Sequence, residues 1–149
     1  MTPKTAIRGE TLVPGIASGA VLVLSEPLSF WGGLDSATGR IIDAWHPQKG
    51  ASMAGRVLVM ASGRGSSSGS AVLAEAIRLG NGPAAIVLAS RDAIVAVGAM
   101  VAAELYGKAC PVVVVPAADW QRVSAAATVS IDAADGGAVI EPDFSPDVT

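Results

Sequence analysis

Three short apolar runs, Arg56–Met60, Ala84–Leu88 and Pro111–Val115, are separated by two segments with helical spacing. No other feature of the chain constrains its fold as much. Each run is β-prone and reads as a strand. Between the first two, Gly69–Leu79 sets Val72, Leu73, Ala76 and Ile77 on one helical face, and Gly80-Asn81-Gly82-Pro83 stops it. Between the second and third, Asp92 stands where an N-cap belongs, for a helix through about Tyr106 with Gly107 as its stop. That second helix is apolar nearly all round, which predicts burial. Strand–helix–strand–helix–strand with short links predicts right-handed crossovers and a three-stranded parallel sheet.

The flanks differ. Thr11–Leu24, Leu28–Trp31, Arg40–Asp43, Thr128–Asp132 and Ala138–Glu141 are short β-like pieces with Gly, Pro and Asp in and between them. A β-rich layer or partly closed barrel wrapped on the central unit accommodates them. The expected class is α/β, one domain over residues 1–149, with its core at about 8–142 and a loose tail at 143–149.

Ligand sites in a parallel sheet lie outside the carboxyl ends of the strands. Gly63–Ser70 leaves the first central strand there, Ser90-Arg91-Asp92 the second and Pro116–Asp119 the third, so the three loops are expected at one edge. The first is unusual: residues 62–70, SGRGSSSGS, hold five serines, three glycines and one arginine. Its glycines let the backbone turn sharply and approach a ligand. The following helix offers unpaired N–H groups and a partial positive charge, and Arg64 adds a fork for carboxylate or phosphate. It is not a phosphate loop, because no Gly-Lys-Ser/Thr closes it, and its third glycine comes one residue late for a dinucleotide fingerprint. Ser68 or Ser70 serves equally well as a helix N-cap. A cap needs one hydroxyl, however, and Ser66, Ser67, Ser68 and Ser70 offer more.

Composition narrows the function classes. Hydrophobic residues make up 51% and charged residues 15%, which argues against disorder and suggests a surface covered by a partner. A net charge of −3 without a basic run gives no nucleic-acid footprint. The apolar stretch Ala93–Ala103 is too short to span a bilayer, and the first residues lack a signal-peptide core, so a cytoplasmic protein without membrane contact is expected. The single cysteine, Cys110, excludes an internal disulfide and a self-contained multi-cysteine metal site, and reads as buried core. The single histidine, His46, lies in a loop before proline and reads as a turn or interface residue rather than the base of a serine triad. Asp35 and Asp43 read as turn residues and Arg91 as a second anion contact. Phe30 and Trp31 either pack within the β layer or wall the serine loop.

Four blocks in order, LSFWGGLDSATGRIIDAWHPQKG (28–50), GRGSSSGS (63–70), GNGPAAIVLASRD (80–92) and GAMVAAELYGKACPVVVV (98–115), together resemble the aconitase X swivelling domain, or small subunit, over roughly residues 8–142. The resemblance implies a swivelling β/β/α domain that pairs with, or is fused to, a large subunit carrying an iron–sulfur cluster or iron, with no cofactor in this chain. It implies a dehydratase acting on a small hydroxy acid: cis-3-hydroxy-L-proline, or alternatively (R)-5-phosphomevalonate. The sparse cations near the loop and the alanine-rich, lysine-poor composition favour the former. In aconitase-like enzymes a serine after glycine in a Gly-Ser-Ser loop removes the substrate proton. The matching residue here is Ser66, after Gly65. Those enzymes carry arginine after the serine pair; Ser68 stands there instead, and Arg64 lies two residues before Ser66. Arg64, Gly65, Ser67 and Ser68 are the implied substrate contacts. Two rivals stand beside this: a non-catalytic anion-binding regulatory or scaffold domain, and a stand-alone enzyme using Ser66.

Overall fold

The computed structural model describes residues 6–145. Nine strands and four helices follow in chain order: β1 (Ile7–Val13), β2 (Gly15–Val23), α1 (Phe30–Gly33), β3 (Leu34–Asp35), β4 (Arg40–Ile41), β5 (Val57–Val59), α2 (Gly69–Arg78), β6 (Ala85–Leu88), α3 (Ala93–Tyr106), β7 (Val112–Val114), α4 (Ala117–Ser124), β8 (Thr128–Ala134) and β9 (Gly137–Asp143). Seven strands close a barrel in the order β1-β7-β6-β5-β2-β8-β9, and β1 seals it against β9. The expected α/β architecture is present, with a fully closed barrel.

The central unit is parallel as expected: Leu58 pairs Ile86, and Val87 pairs Val113. It is wider than expected, because β2 joins β5 in parallel and makes four strands. The three central strands, β5, β6 and β7, are apolar throughout because both faces are covered. Side chains alternate across the sheet. Val57, Val59, Ala85, Val87, Val113 and Val115 point into the barrel with Val129, Ile131 and Ile140. Leu58, Ile86, Leu88 and Val112 point outward, under Leu73, Ala76 and Ile77 of α2 and Val95, Ala99 and Ala102 of α3.

Local signals set the ends. Gly107, at φ +66°, closes α3, and Asp92 caps it by accepting from the Val95 N–H at 3.0 Å. Four expectations are corrected. The stretch 11–24 is two strands, because Pro14 offers no N–H to continue a ladder. Residues 28–31 form no strand but lead into the distorted turn α1. The segment after Pro116 is a helix, not a loop. The last strand runs through Asp143, two residues past its expected end, because Thr128 pairs Asp143.

The apolar helix α3 is only half buried. Val95, Gly98, Ala99 and Ala102 face the core, whereas Val97, Met100, Leu105 and Tyr106 are exposed. A single outer layer of helices covers only one side of each helix. Among the described residues, no helix is long and apolar enough to cross a membrane.

Candidate functional site

The loops after β5 and β6 and the start of α4 meet at one edge, held by backbone bonds. The Ala61 carbonyl accepts from the Ala89 and Ser90 N–H groups at 2.9 and 3.2 Å. The Trp120 indole N–H donates to the Met60 carbonyl at 3.1 Å and brings α4 to the same edge.

Two glycines shape the serine loop. Gly63 bridges Leu28 in parallel, and the Arg64 N–H donates to the Leu28 carbonyl at 3.2 Å. The chain then reverses at Gly65, where φ is +91° and a Cβ would lie 2.9 Å from Ser29 Oγ. Both the left-handed backbone and the close wall exclude a side chain there.

Ser66 follows, half-buried. Its Oγ accepts from the Ser68 N–H at 3.1 Å, and its carbonyl accepts from the Gly69 N–H at 2.9 Å. The turn that leads into α2 therefore starts at Ser66. Ser68 stands just before α2, but its backbone is already helical (φ −64°, ψ −17°) and its hydroxyl makes no capping bond. Ser70 donates from Oγ to the Ile94 carbonyl at 2.6 Å, which ties α2 to the first turn of α3. Neither fills the capping role open to both from sequence. The hydroxyl that accepts an orphan N–H belongs to Ser66. A negative charge on Ser66 Oγ would sit against that N–H and near the positive end of a ten-residue helix.

Arg64, Gly65, Ser67 and Ser68 are exposed around it, and Arg64 makes no ion pair among the described residues. Arg91 is not a second free cation. Its guanidinium forks onto both Glu10 carboxylate oxygens, which raises its pKa through hydrogen bonding and charge.

His46 is buried, with Nε2 2.9 Å from the Glu26 carbonyl and Nδ1 accepting the Gln48 N–H at 3.1 Å. That pattern assigns the neutral tautomer protonated at Nε2 and leaves neither nitrogen for a serine. It is a turn residue, as Asp35 and Asp43 are: their carboxylates accept from the Ala37 and Trp45 N–H groups. Phe30 is core, while Trp31 is 61% exposed, its backbone N 3.6 Å from where a Gly69 Cβ would stand. The aromatic pair thus divides, Phe30 inward and Trp31 exposed, with the Trp31 backbone beside Gly69 at the end of the serine loop.

The serine loop lies on open surface. A cleft of about 630 Å³ runs along β8–β9, and one of about 460 Å³ lies at the strand-end edge itself, between Arg8–Glu10 of β1, Ala89 after β6 and Val114–Pro116 at the end of β7. Neither cleft is lined by a residue of the serine loop. Cys110 is fully buried, and desolvation pushes its thiol up to about 12. Such a thiol does not fit an iron–sulfur cluster, which is held by thiolates. Among the described residues, no group of three or more His, Cys, Asp or Glu side chains could hold a metal ion.

A closed barrel with a helical layer on one side and a Gly-Ser-Ser turn at the strand ends defines a small α/β domain whose serine loop is open to solvent. Residues 6–140 match the aconitase X swivel domain, and the chain belongs to that family. It is similar to the crystal structure of Thermococcus kodakaraensis aconitase X in its holo-form, at TM-score 0.76 and 30% identity, covering 92% of this chain and 97% of that one. It is 39% identical over 140 residues to a cis-3-hydroxy-L-proline dehydratase of Hypocrea jecorina, and 49% identical over 102 residues to one of Pseudomonas aeruginosa. Those alignments cover 93% and 68% of this chain but only 23% and 18% of the relatives. A phosphomevalonate dehydratase small subunit of Methanothermobacter thermautotrophicus is 46% identical over 88 residues, 59% of this chain and 67% of that one.

Proposed function

We propose that this chain is the small, swivelling subunit of an aconitase X type hydro-lyase that dehydrates cis-3-hydroxy-L-proline to a pyrroline-2-carboxylate. The observation that carries the reading is the placement of Ser66 Oγ, which accepts the Ser68 N–H at the mouth of α2 directly after the Gly65 reversal.

In this reaction a proton leaves the carbon beside the carboxylate and hydroxide leaves the neighbouring carbon. Ser66 takes the proton. A free serine alkoxide is too basic to persist at neutral pH, so the site must stabilise it. The Ser68 N–H and the α2 terminus do so directly, and Arg64 adds charge from the loop. Ser67, Ser68 and the Gly65 backbone hold the substrate carboxylate. These interactions strengthen when water is excluded, and the loop itself is open. A large subunit therefore covers it and brings the iron or iron–sulfur cluster, which this chain's residues do not fit. The exposed apolar residues of α3 and the exposed Trp31 are consistent with a covered surface.

Substrate choice rests on two supports. The hydroxyproline dehydratase alignments extend over more of this chain. Arg91 is paired with Glu10, so within the three strand-end loops Arg64 is the one cation without an ion pair among the described residues. A second reading, the small subunit of a phosphomevalonate dehydratase, is favoured by the small-subunit relative, two thirds of whose length is matched.

Co-purification with the large subunit, metal analysis and assay with both compounds test the assignment. Turnover of cis-3-hydroxy-L-proline by the complex is expected. Turnover of phosphomevalonate alone selects the second reading, and turnover by the isolated, metal-free chain rejects both. Ser66→Ala in the assembled complex is expected to lower kcat by about 100-fold or more. Near-normal turnover by an intact complex would reject the base assignment.

A further inference from the structure

Asp92 belongs to the loop after β6, yet it reaches the root of the serine loop. Its two carboxylate oxygens do different work. Oδ1 accepts the Val95 N–H at 3.0 Å and caps α3. Oδ2 accepts the Gly63 N–H at 2.9 Å, across 29 residues of chain. Gly63 permits this because it has no Cβ: one built at 63 would lie 2.6 Å from Oδ2 and 3.2 Å from Val95 Cγ2. A cap alone requires one oxygen and places no demand on residue 63.

Two residues beyond Gly63 the chain reverses at Gly65, and Ser66 follows. The segment between carries few anchors: the Leu28 bridge on one side and the Asp92 carboxylate on the other. We propose that Asp92 is a positioning residue, which clamps the root of the serine loop to the N-terminus of α3 and so fixes where Ser66 Oγ stands. The proposal rests on the reading of Ser66 as the base. Ser70 makes a parallel tie from the far side of the loop, its Oγ donating to the Ile94 carbonyl. The serine loop is thereby held at both ends to one turn of one helix.

The two functions of the carboxylate are separable. Asp92→Ser keeps a favoured capping hydroxyl but is too short to reach Gly63. Gly63→Ala leaves the cap residue untouched and displaces Oδ2. In the isolated chain, both variants are expected to speed amide hydrogen exchange at residues 63–68. Asp92→Ser is expected to melt within about 2–4 °C of the parent, roughly the shift for a residue-level change in a domain of this size. In the complex with its large subunit, both are expected to lower kcat about tenfold or more with little change in KM, because a misplaced base costs rate while the other substrate contacts remain. A purely structural Asp92 would lower melting temperature without that split. Parental exchange at 63–68 in both variants, or kcat within twofold of the parent, overturns the proposal. Retained turnover in Ser66→Ala removes the base assignment alone, because the exchange measurement reads the clamp in the uncomplexed chain.

Discussion

Cys110 shows how one position can be settled by burial. The thiol sits at 0% exposure beside the β7 valines, and desolvation raises its pKa from 9.0 to about 12. The protonated form is the one the native state favours. Its contribution to stability is complete below pH 9 and is lost as pH rises from 9 towards 12. Reaction with a disulfide reagent at pH 8 is therefore expected only at the rate of unfolding, and full in denaturant; stoichiometric labelling of the native chain would contradict this. Ser66 illustrates the opposite case. A run of four hydroxyls within five residues marks the loop plainly, but spacing does not say which oxygen accepts an N–H. That depends on where the backbone first turns helical, and the turn begins at 66 rather than 68. Arg91 was equally ambiguous, since its partner Glu10 lies 81 residues away.

At the scale of elements, α2 and α3 show packing overriding propensity. Gly98 sits inside α3, where glycine costs about 1 kcal/mol relative to alanine. A Cβ at 98 would stand 2.8 Å from the Ser70 carbonyl oxygen and 3.1 Å from Leu73 Cδ2. The first neighbour is backbone and cannot rotate away. Overpacking costs about 1–3 kcal/mol and outweighs the propensity gain. Gly98→Ala is therefore expected to lower the melting temperature, by calorimetry or circular dichroism, instead of raising it. The bounds of α3 were legible because Asp92 and Gly107 act locally. Its burial was not, because hydrophobicity all round does not reveal how many layers surround a helix. The helix α4 was missed for a related reason: within its eight residues only Val123 is fully buried, and it is tied to the sheet through Trp120.

Across the whole molecule, stability rests on a sheet covered on both faces. Leu58 lies at 0% exposure between the barrel and α2–α3. Leu58→Ala is expected to cost about 2–5 kcal/mol in denaturant unfolding, since a rigid strand cannot collapse into the space left. A cost below 1 kcal/mol would mean that the outer layer is loosely packed. By itself the sequence determined the parallel strand–helix–strand–helix–strand unit, the helix stops, the serine loop and the likeness to the aconitase X swivel family, because each of these is written in neighbouring residues. Only the tertiary structure decided the closure of β1 on β9, the entry of β2 as a fourth parallel strand, the division of Phe30 from Trp31 and the reach of Asp92 to Gly63. Each of those depends on contacts between residues far apart in the chain, and local periodicity carries no information about which distant surfaces will meet.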